Sequence, residues 1–134
     1  LTSDDRIKHN EQPIKNALNT LSKITPKKYI KTTDLYEANH DFALNAENKP
    51  IDENGKEIEH TIEAGVIAQE LKKIDELAFA VNEEQKDENG DVVGPHAVNY
   101  NSLFTYAICA INELNQKVND LKSELASINQ PKNS

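Results

Sequence analysis

Ser3 and Lys8 stand five residues apart near the front of the chain, and their side chains are the ones best suited to chemistry. A serine hydroxyl is a poor nucleophile at neutral pH and needs a base. A lysine amine becomes such a base only if its pKa falls from about 10.4 towards 7, through burial or a nearby positive charge such as that of Arg6. Two interpretations are open from these residues: a nucleophile with its base, or an ordinary N-terminal cap beside a solvated lysine.

The spacing of the two residues sets a geometric condition on the first interpretation. Residues i and i+5 lie on different faces of a helix and on opposite faces of a strand. Ser3 and Lys8 therefore meet only if the stretch bends, or if Lys8 of a neighbouring subunit supplies the amine. The oxyanion of the reaction would need backbone donors, which the sequence does not identify.

The bond that Ser3 would cut follows from the direction of attack. Attack on the carbonyl carbon of Thr2 is an acyl shift that leaves an ester for water to resolve, and it cuts Thr2-Ser3. Cleavage of Ser3-Asp4 would need another route. Since a chain cut before Ser3 would have lost Leu1 and Thr2, we expect this chain to be uncut or a fragment.

Composition limits the class of protein and its partners. The 134 residues, of which 37% are hydrophobic, predict one small domain with an appendage. A net charge of -8 argues against a nucleic-acid or anionic-membrane partner, and no apolar run is long enough to span a membrane. The single cysteine, Cys109, excludes an intrachain disulfide, and its apolar neighbours favour a buried small side chain over a reactive thiol.

Apolar spacing and turn residues predict a mixed, α+β arrangement for residues 10–100. The predicted elements are a helix over 10–24 with Pro13 in its first turn, a strand over 27–33, a buried strand from Ala64 that runs into a helix ending near Ile74, and an apolar strand over 77–81. Two Asp-Glu-Asn-Gly tetrapeptides, at 52–55 and 87–90, predict hairpin turns. Ile51 and Ile58 would belong to the two arms of the first hairpin. The flanks of the tetrapeptides differ, so they are not a duplication.

The last predicted element is a long helix over residues 101–128 with an unbroken heptad pattern. Its two core positions hold Phe104, Ile111, Val118 and Leu125, and Ala107, Leu114, Leu121 and Ile128. A narrow apolar stripe on an otherwise polar helix needs partner helices, so we expect the chain to oligomerise. The mixture of Ile, Val and Leu does not decide between two and three strands. Pro131 would end the helix.

Other residues that could form sites have simpler explanations. The four histidines, His9, His40, His60 and His96, match no metal-ligand spacing and are expected at the surface. The acidic turns lack the spacing of a calcium loop, and the glycines form no phosphate-binding pattern. Gln69 and Glu70 could be catalytic, but a buried hydrogen-bonding role or a role in starting a helix is favoured. We therefore predict no metal and no cofactor.

Four landmarks follow one another along the chain: Ser3-Asp4-x-Arg6-x-Lys8, then Pro26-x-x-Tyr29 after the first helix, then Gly65-Val66-Ile67-Ala68-Gln69-Glu70, and Asn99-Tyr100 ahead of the helix that contains Glu113-Leu114. In this order they resemble the intramolecular chaperone auto-processing domain. That domain is the C-terminal self-cleaving domain of phage tailspikes, endosialidases and long tail fibres, and a related domain occurs in the myelin regulatory factor transcription factors. The resemblance extends from Ser3 to about Leu125.

The resemblance implies a homotrimer that helps an upstream fibre or tailspike region of the same polypeptide to fold and assemble. Residues 1–100 would form the auto-processing chaperone domain, residues 101–129 its trimerisation helix in a three-stranded coiled coil, and residues 130–134 a disordered tail. Assembly would take place in the host cytoplasm, and the mature fibre would remain on the virion after the chaperone domain is released.

The resemblance also assigns roles to individual residues. Ser3 and Lys8 would form a Ser/Lys dyad, and Asp4 and Arg6 would hold its geometry. Gly65, Gln69 and Glu70 would belong to a structural motif. The same resemblance leaves an alternative open: a trimerisation or capping module of a fibre protein that keeps the fold but does not cleave.

Overall fold

The computed structural model describes residues 2–130 of the chain. The tail predicted over 130–134 and the stop predicted at Pro131 therefore lie, apart from Gln130, outside the described residues. The chain divides into two compact units, Leu1–Lys23 with Asn99–Ser134, and Ile24–Val98. Both helices and strands are present, and the chain ends in a long helix, so the predicted mixture of elements is confirmed.

The first unit contains the two ends of the chain. Its elements are a 3-10 turn at Asp5–Ile7, a short helix α1 at Ala17–Leu21, and the long helix α3 at Tyr100–Asn129. Ala17 and Thr20 of α1 and Ala110 of α3 are buried where these two helices pack against each other. The first half of α3 thus has a partner within its own chain.

The second unit is built from short antiparallel strand pairs around the helix α2, Ala68–Lys72. The strands, in the described residues, are β1 Lys27–Lys31, β2 Ala43–Leu44, β3 Pro50–Ile51, β4 Thr61–Gly65, β5 Val81–Asn82, β6 Gln85–Lys86, β7 Val92–Gly94 and β8 Ala97–Val98. They pair as β1 with β4, β2 with β3, β5 with β8, and β6 with β7. Leu71 of α2 and Leu77 are almost completely buried and form the centre of this small core.

Both tetrapeptide turns are confirmed and are built alike. Asp52 Oδ1 accepts hydrogen bonds from the amides of Asn54 and Lys56 at 2.9 Å. Asp87 Oδ1 bonds in the same way to the amides two and four residues on. The glycine that closes each turn has a positive φ, 79° at Gly55 and 81° at Gly90, which a residue without Cβ adopts freely. Identical residues have produced identical turns.

The arms of the first hairpin are also where the sequence predicts them. Ile51 forms a bridge with Glu57, and the amide of Ile58 donates to the carbonyl of Pro50 at 2.9 Å. The strand predicted over 27–33 is observed as β1. The strand predicted from Ala64 begins at Thr61 and ends at Gly65, and the helix after it ends at Lys72, two residues before the predicted Ile74. The prediction that this strand is buried is wrong, because none of its residues is buried and Ile62 is 52% exposed.

The helix predicted over residues 10–24 is wrong in its extent, because only Ala17–Leu21 is helical. Asn10 and Asn16 have φ values of 52° and 57°, in the left-handed region. Asparagine enters this region more readily than most residues, and one such residue ends a right-handed helix. Pro13 consequently lies ahead of the helix instead of in its first turn.

The apolar strand predicted over 77–81 is also wrong. Residues Asp75–Ala80 form a 3-10 helix, and only Val81 continues into β5. Leu77 and Ala80 are three residues apart, so they share one face of a 3-10 helix, and both are buried while Phe79 between them is exposed. A short apolar run has no periodicity that separates these two possibilities.

The helix α3 confirms the prediction for the end of the chain. It spans 30 residues, about 45 Å, and Asn99 caps it by accepting a hydrogen bond from the amide of Ser102 at 3.3 Å. Every described residue from Leu114 onward is exposed. Among residues 2–130, no helix combines the length and the apolar character needed to cross a membrane.

Candidate functional site

The front segment bends at a 3-10 turn that its own side chains cap. Asp4 has an extended backbone, and its Oδ1 accepts a hydrogen bond from the amide of Arg6 at 2.8 Å. The amides of Ile7 and Lys8 then donate to the carbonyls of Asp4 and Asp5 at 3.1 and 3.2 Å. Aspartate is a favoured residue for capping such a turn, so the bend follows from local sequence.

Ser3 and Lys8 meet across this bend. Lys8 Nζ donates a hydrogen bond to Ser3 Oγ at 2.7 Å. The geometric condition set by the five-residue spacing is therefore met by bending within one chain, without an amine from a neighbouring subunit. The same distance also suits transfer of the serine proton to a neutral amine, which is the direction that nucleophilic catalysis requires.

Asp4 and Arg6 form a second pair on the same bend. Arg6 Nη2 lies 2.8 Å from Asp4 Oδ2, and Arg6 Nε donates to Oδ1 at 3.0 Å, so the guanidinium contacts both carboxylate oxygens. This bond lowers the pKa of the Asp4 carboxyl and raises the pKa of Arg6. Because an exposed pair adds little stability, its effect here is on shape. Arg6 is engaged with Asp4, which leaves burial as the other cause that could activate a lysine base.

The whole front segment is exposed in the single chain. Every residue from Thr2 to Pro13 is exposed, including both members of the Ser3 and Lys8 pair. The arrangement thus holds a nucleophile and an amine at bonding distance, but it lacks the apolar wall that would favour a neutral amine.

The Gly65, Gln69 and Glu70 motif lies in the second unit. Gly65 ends β4 opposite Lys27 of β1, and Glu70 Oε1 accepts an ion-pair hydrogen bond from Lys27 Nζ at 2.5 Å. Glu70 thereby ties α2 to β1. Gln69 and Glu70 also border an open cleft formed with β1 and the loop over residues 32–42.

Three of the four histidines, His40, His60 and His96, and the cysteine have structural contacts. His40 stacks on Tyr36, His60 Nδ1 lies 2.8 Å from the carbonyl of Ile58, and His96 Nδ1 accepts from the amide of Glu84. The Cys109 thiol donates to Glu113, and this bond, with burial, raises the pKa of the thiol. Within residues 2–130 no group of three or more His, Cys, Asp or Glu side chains could hold a metal ion.

Glu113 belongs to a landmark of the sequence, but sequence reasoning missed its contact with α1. Its Oε1 accepts from the amide of Ala17 at 2.8 Å and its Oε2 from the amide of Leu18 at 3.2 Å, so a side chain of α3 caps the start of α1. These bonds, with Ala17 first, lower the pKa of the Glu113 carboxyl. The contact joins residues 96 positions apart, and no local pattern indicates such a pair.

The sequence model of a peptidase family described as chaperone of endosialidase matches residues 3–82. This is more than half of the chain, and the match begins at Ser3. The chain belongs to this chaperone family, which confirms the resemblance stated from the sequence. No curated protein matches the chain.

Proposed function

We propose that the chain is a C-terminal intramolecular chaperone that trimerises through α3, assists the assembly of an upstream phage fibre or tailspike region, and releases itself by one cleavage next to Ser3. Residues 1–100 act as the auto-processing part and residues 101–129 as the trimerisation helix. The observation that carries the proposal is the 2.7 Å hydrogen bond between Lys8 Nζ and Ser3 Oγ, on the segment where the family match begins.

The proposed reaction uses the peptide bond directly ahead of the serine. Lys8 as a neutral amine takes the proton of Ser3 Oγ, and the oxygen attacks the carbonyl carbon of Thr2. When the tetrahedral intermediate collapses, the Thr2-Ser3 C–N bond breaks and the leaving nitrogen takes a proton from the lysine. The product is an ester on Ser3 Oγ and a free α-amine. Water then hydrolyses the ester, which frees the upstream chain as a carboxylate and restores the hydroxyl.

Asp4 and Arg6 support this reaction as positioning residues. Asp4 accepts hydrogen bonds from the backbone amide and from the guanidinium of Arg6, and both bonds stabilise the bend between Ser3 and Lys8. A bend that is held in place reduces the loss of entropy when the nucleophile and base come together.

Assembly is proposed to control the timing of the cut. In the single chain the pair is exposed, so it lacks the burial that would favour a neutral amine. The apolar side chains of the second half of α3 are exposed as well; Leu121 is 63% and Ile128 is 78% accessible. Burial of these heptad core positions in a three-stranded coiled coil provides the driving force for association. The trimer then supplies the wall against the front segment that activates the amine.

The direct test is to express the chain with some tens of upstream residues and to follow its cleavage on a denaturing gel. The proposal expects two fragments from the unmutated chain and one full-length band from Ser3→Ala. Ser127→Ala, an exposed serine near the end of α3, is the matched control and should cleave normally. An N-terminus at Ser3 in the released fragment supports cleavage of Thr2-Ser3, whereas an N-terminus at Asp4 contradicts the acyl shift. Cleavage that persists in Ser3→Ala overturns the mechanism.

A second candidate function is a trimerisation or capping module that does not cleave. The observation in its favour is the full exposure of Ser3 and Lys8, which gives the single chain no means of activating the base. The same experiment separates the two functions. A single full-length band from the unmutated chain, together with a trimer in sedimentation analysis, supports the non-cleaving module and removes self-cleavage.

A further inference from the structure

The helix α1 lacks a cap of its own. It has five residues, and a helix of this length does not form in isolation because its nucleation is costly. A normal N-cap residue has an extended backbone and bonds to an amide in the first turn. Asn16 instead has φ 57° and ψ 32° and makes no capping bond with its side chain. The backbone amides at the start of α1 have no acceptor within the helix, so they need one from elsewhere in the chain.

Glu113 of α3 is that acceptor. Its two carboxylate oxygens accept from the amides of Ala17 and Leu18 at 2.8 and 3.2 Å, and the negative charge lies where the helix dipole is positive. The thiol of Cys109, one turn earlier in α3, lies 3.2 Å from Glu113 Oε1 and 3.3 Å from the carbonyl oxygen of Ile14, and its one proton is shared between these two acceptors. Two successive turns of α3 thus bind the chain between Ile14 and Leu18.

The contacts of Cys109 and Glu113 with residues 14–18 form an anchor. This anchor is the first point after the bend with Ser3 and Lys8 at which the chain is held by α3. All residues from 2 to 13 are exposed, Ile14 is partly buried, and Ala17 has no accessible surface. Where the front segment points is therefore set by the place at which it leaves α3. A change in the anchor shifts the whole segment, and a displacement of about 1 Å in a reacting group can cost about 100-fold in rate.

We propose that Glu113 is a positioning residue for self-cleavage, because its carboxylate makes the placement of the Ser3 and Lys8 segment depend on α3. The inference rests on the proposed self-cleavage. It adds a hydrogen-bonded link between the two ends of the chain: the helix proposed to associate with other chains is also the helix that holds the reactive segment. The bend alone sets the distance between Ser3 and Lys8, and Glu113 sets where that pair lies relative to α3.

The test replaces the carboxylate by a neutral side chain of the same shape. Glu113→Gln retains one acceptor oxygen but turns an amide group, itself a donor, towards the amides of α1. In the chain with upstream residues, we expect the first-order cleavage rate to fall by about tenfold or more while the trimer persists in sedimentation analysis. We also expect faster hydrogen exchange at the amides of Ala17 and Leu18. Glu124→Gln removes the same charge from an exposed position of α3 and should change neither quantity.

Each outcome decides the inference. Slower cleavage with an intact trimer and faster exchange at α1 supports it. Cleavage at the unmutated rate with an intact trimer overturns it, whether or not exchange at α1 changes. If Glu113→Gln fails to trimerise, Glu113→Asp decides, since it keeps the charge but is one methylene shorter: slower cleavage by its trimer supports the inference and the unmutated rate overturns it.

Failure of self-cleavage itself is recognised separately. If the unmutated chain stays intact, the proposed function falls and the positioning role falls with it, while the exchange rates at Ala17 and Leu18 still report whether Glu113 caps α1. If the unmutated chain cleaves and Glu113→Gln cleaves equally fast, only the positioning role is lost.

Discussion

The bend at residues 3–8 and the second half of α3, from Leu114 onward, are both exposed, yet they are stabilised in different ways. The bend is stabilised by hydrogen bonds within its own six residues: Arg6 donates to Asp4, and Lys8 donates to Ser3. The second half of α3 has a complete heptad pattern whose apolar side chains are exposed in the single chain. The bend thus has its hydrogen bonds in place but is not buried, whereas the second half of α3 exposes apolar side chains that burial would stabilise. The proposed catalysis therefore requires association through the second half of α3, because the bend lacks burial in the single chain.

The largest expected effect comes from changing the base without changing the bend. In Lys8→Arg a donor can still reach Ser3 Oγ, but arginine stays protonated and cannot take the proton. We expect cleavage to fall by about 10^3-fold, the usual contribution of a general base, while the trimer and its melting temperature remain unchanged. The rate is measured on gels of the chain with upstream residues. Cleavage by Lys8→Arg within a few fold of the unmutated rate would show that the amine is not the base.

The next effect comes from disrupting the heptad core positions of α3 while leaving the bend intact. Leu121→Asp places a charge at a heptad core position, where burial in a coiled coil would leave it unpaired. We expect the trimer to dissociate and cleavage to fall by about 100-fold. Sedimentation analysis and gels measure the two changes on the same sample, with Asn115→Asp, an exposed residue off the core positions, as the control. A monomer that cleaves at the unmutated rate would mean that assembly does not activate the pair.

A smaller effect is expected from weakening the bend itself. Asp4→Asn keeps an oxygen that can accept the amide of Arg6, but it loses the charge and one of the two acceptors for the guanidinium. Since exposed ion pairs and caps contribute modestly, we expect cleavage to slow by about fivefold with an unchanged trimer. Asp5→Asn, the neighbouring acid without the capping role, is the matched control. Equal rates for both variants would indicate that the bend is held by other contacts.

The smallest effect concerns pH and the anchor of α1. The pKa of Glu113 is lowered from its ordinary 4.5 by the amide of Ala17 and by the Cys109 thiol, with Lys117 a minor cause. A lowered pKa means that the stabilisation is complete above 4.5 and is lost as the pH falls through the lower value. We expect the amide chemical shifts of Ala17 and Leu18 to titrate in that acidic range. Glu113→Gln should abolish this titration, and its persistence in the variant would assign the shift to another group.

Much of the candidate site could be predicted because its contacts are local. Ser3, Asp4 and Lys8 all lie within six positions, and the resemblance singled them out, but the sequence left open whether the stretch bends or a neighbouring subunit supplies the amine. The two Asp-Glu-Asn-Gly turns and α3 were predictable for similar reasons: a turn closes over four residues, and a heptad pattern repeats along one helix. The errors fell over residues 10–16, where Asn10 and Asn16 adopt left-handed backbone conformations, and over residues 75–80, where a short apolar run admits several structures.

The amino-acid sequence by itself determined the residues of the pair, the turns and the long helix, because each depends on neighbours along the chain. Tertiary structure alone decided that the 75–80 segment coils so that Leu77 and Ala80 are buried, and that α1 starts at Ala17 under the carboxylate of Glu113. The physical reason is that burial and long-range hydrogen bonds involve residues far apart in sequence. Their energies exceed the small preferences that local patterns express.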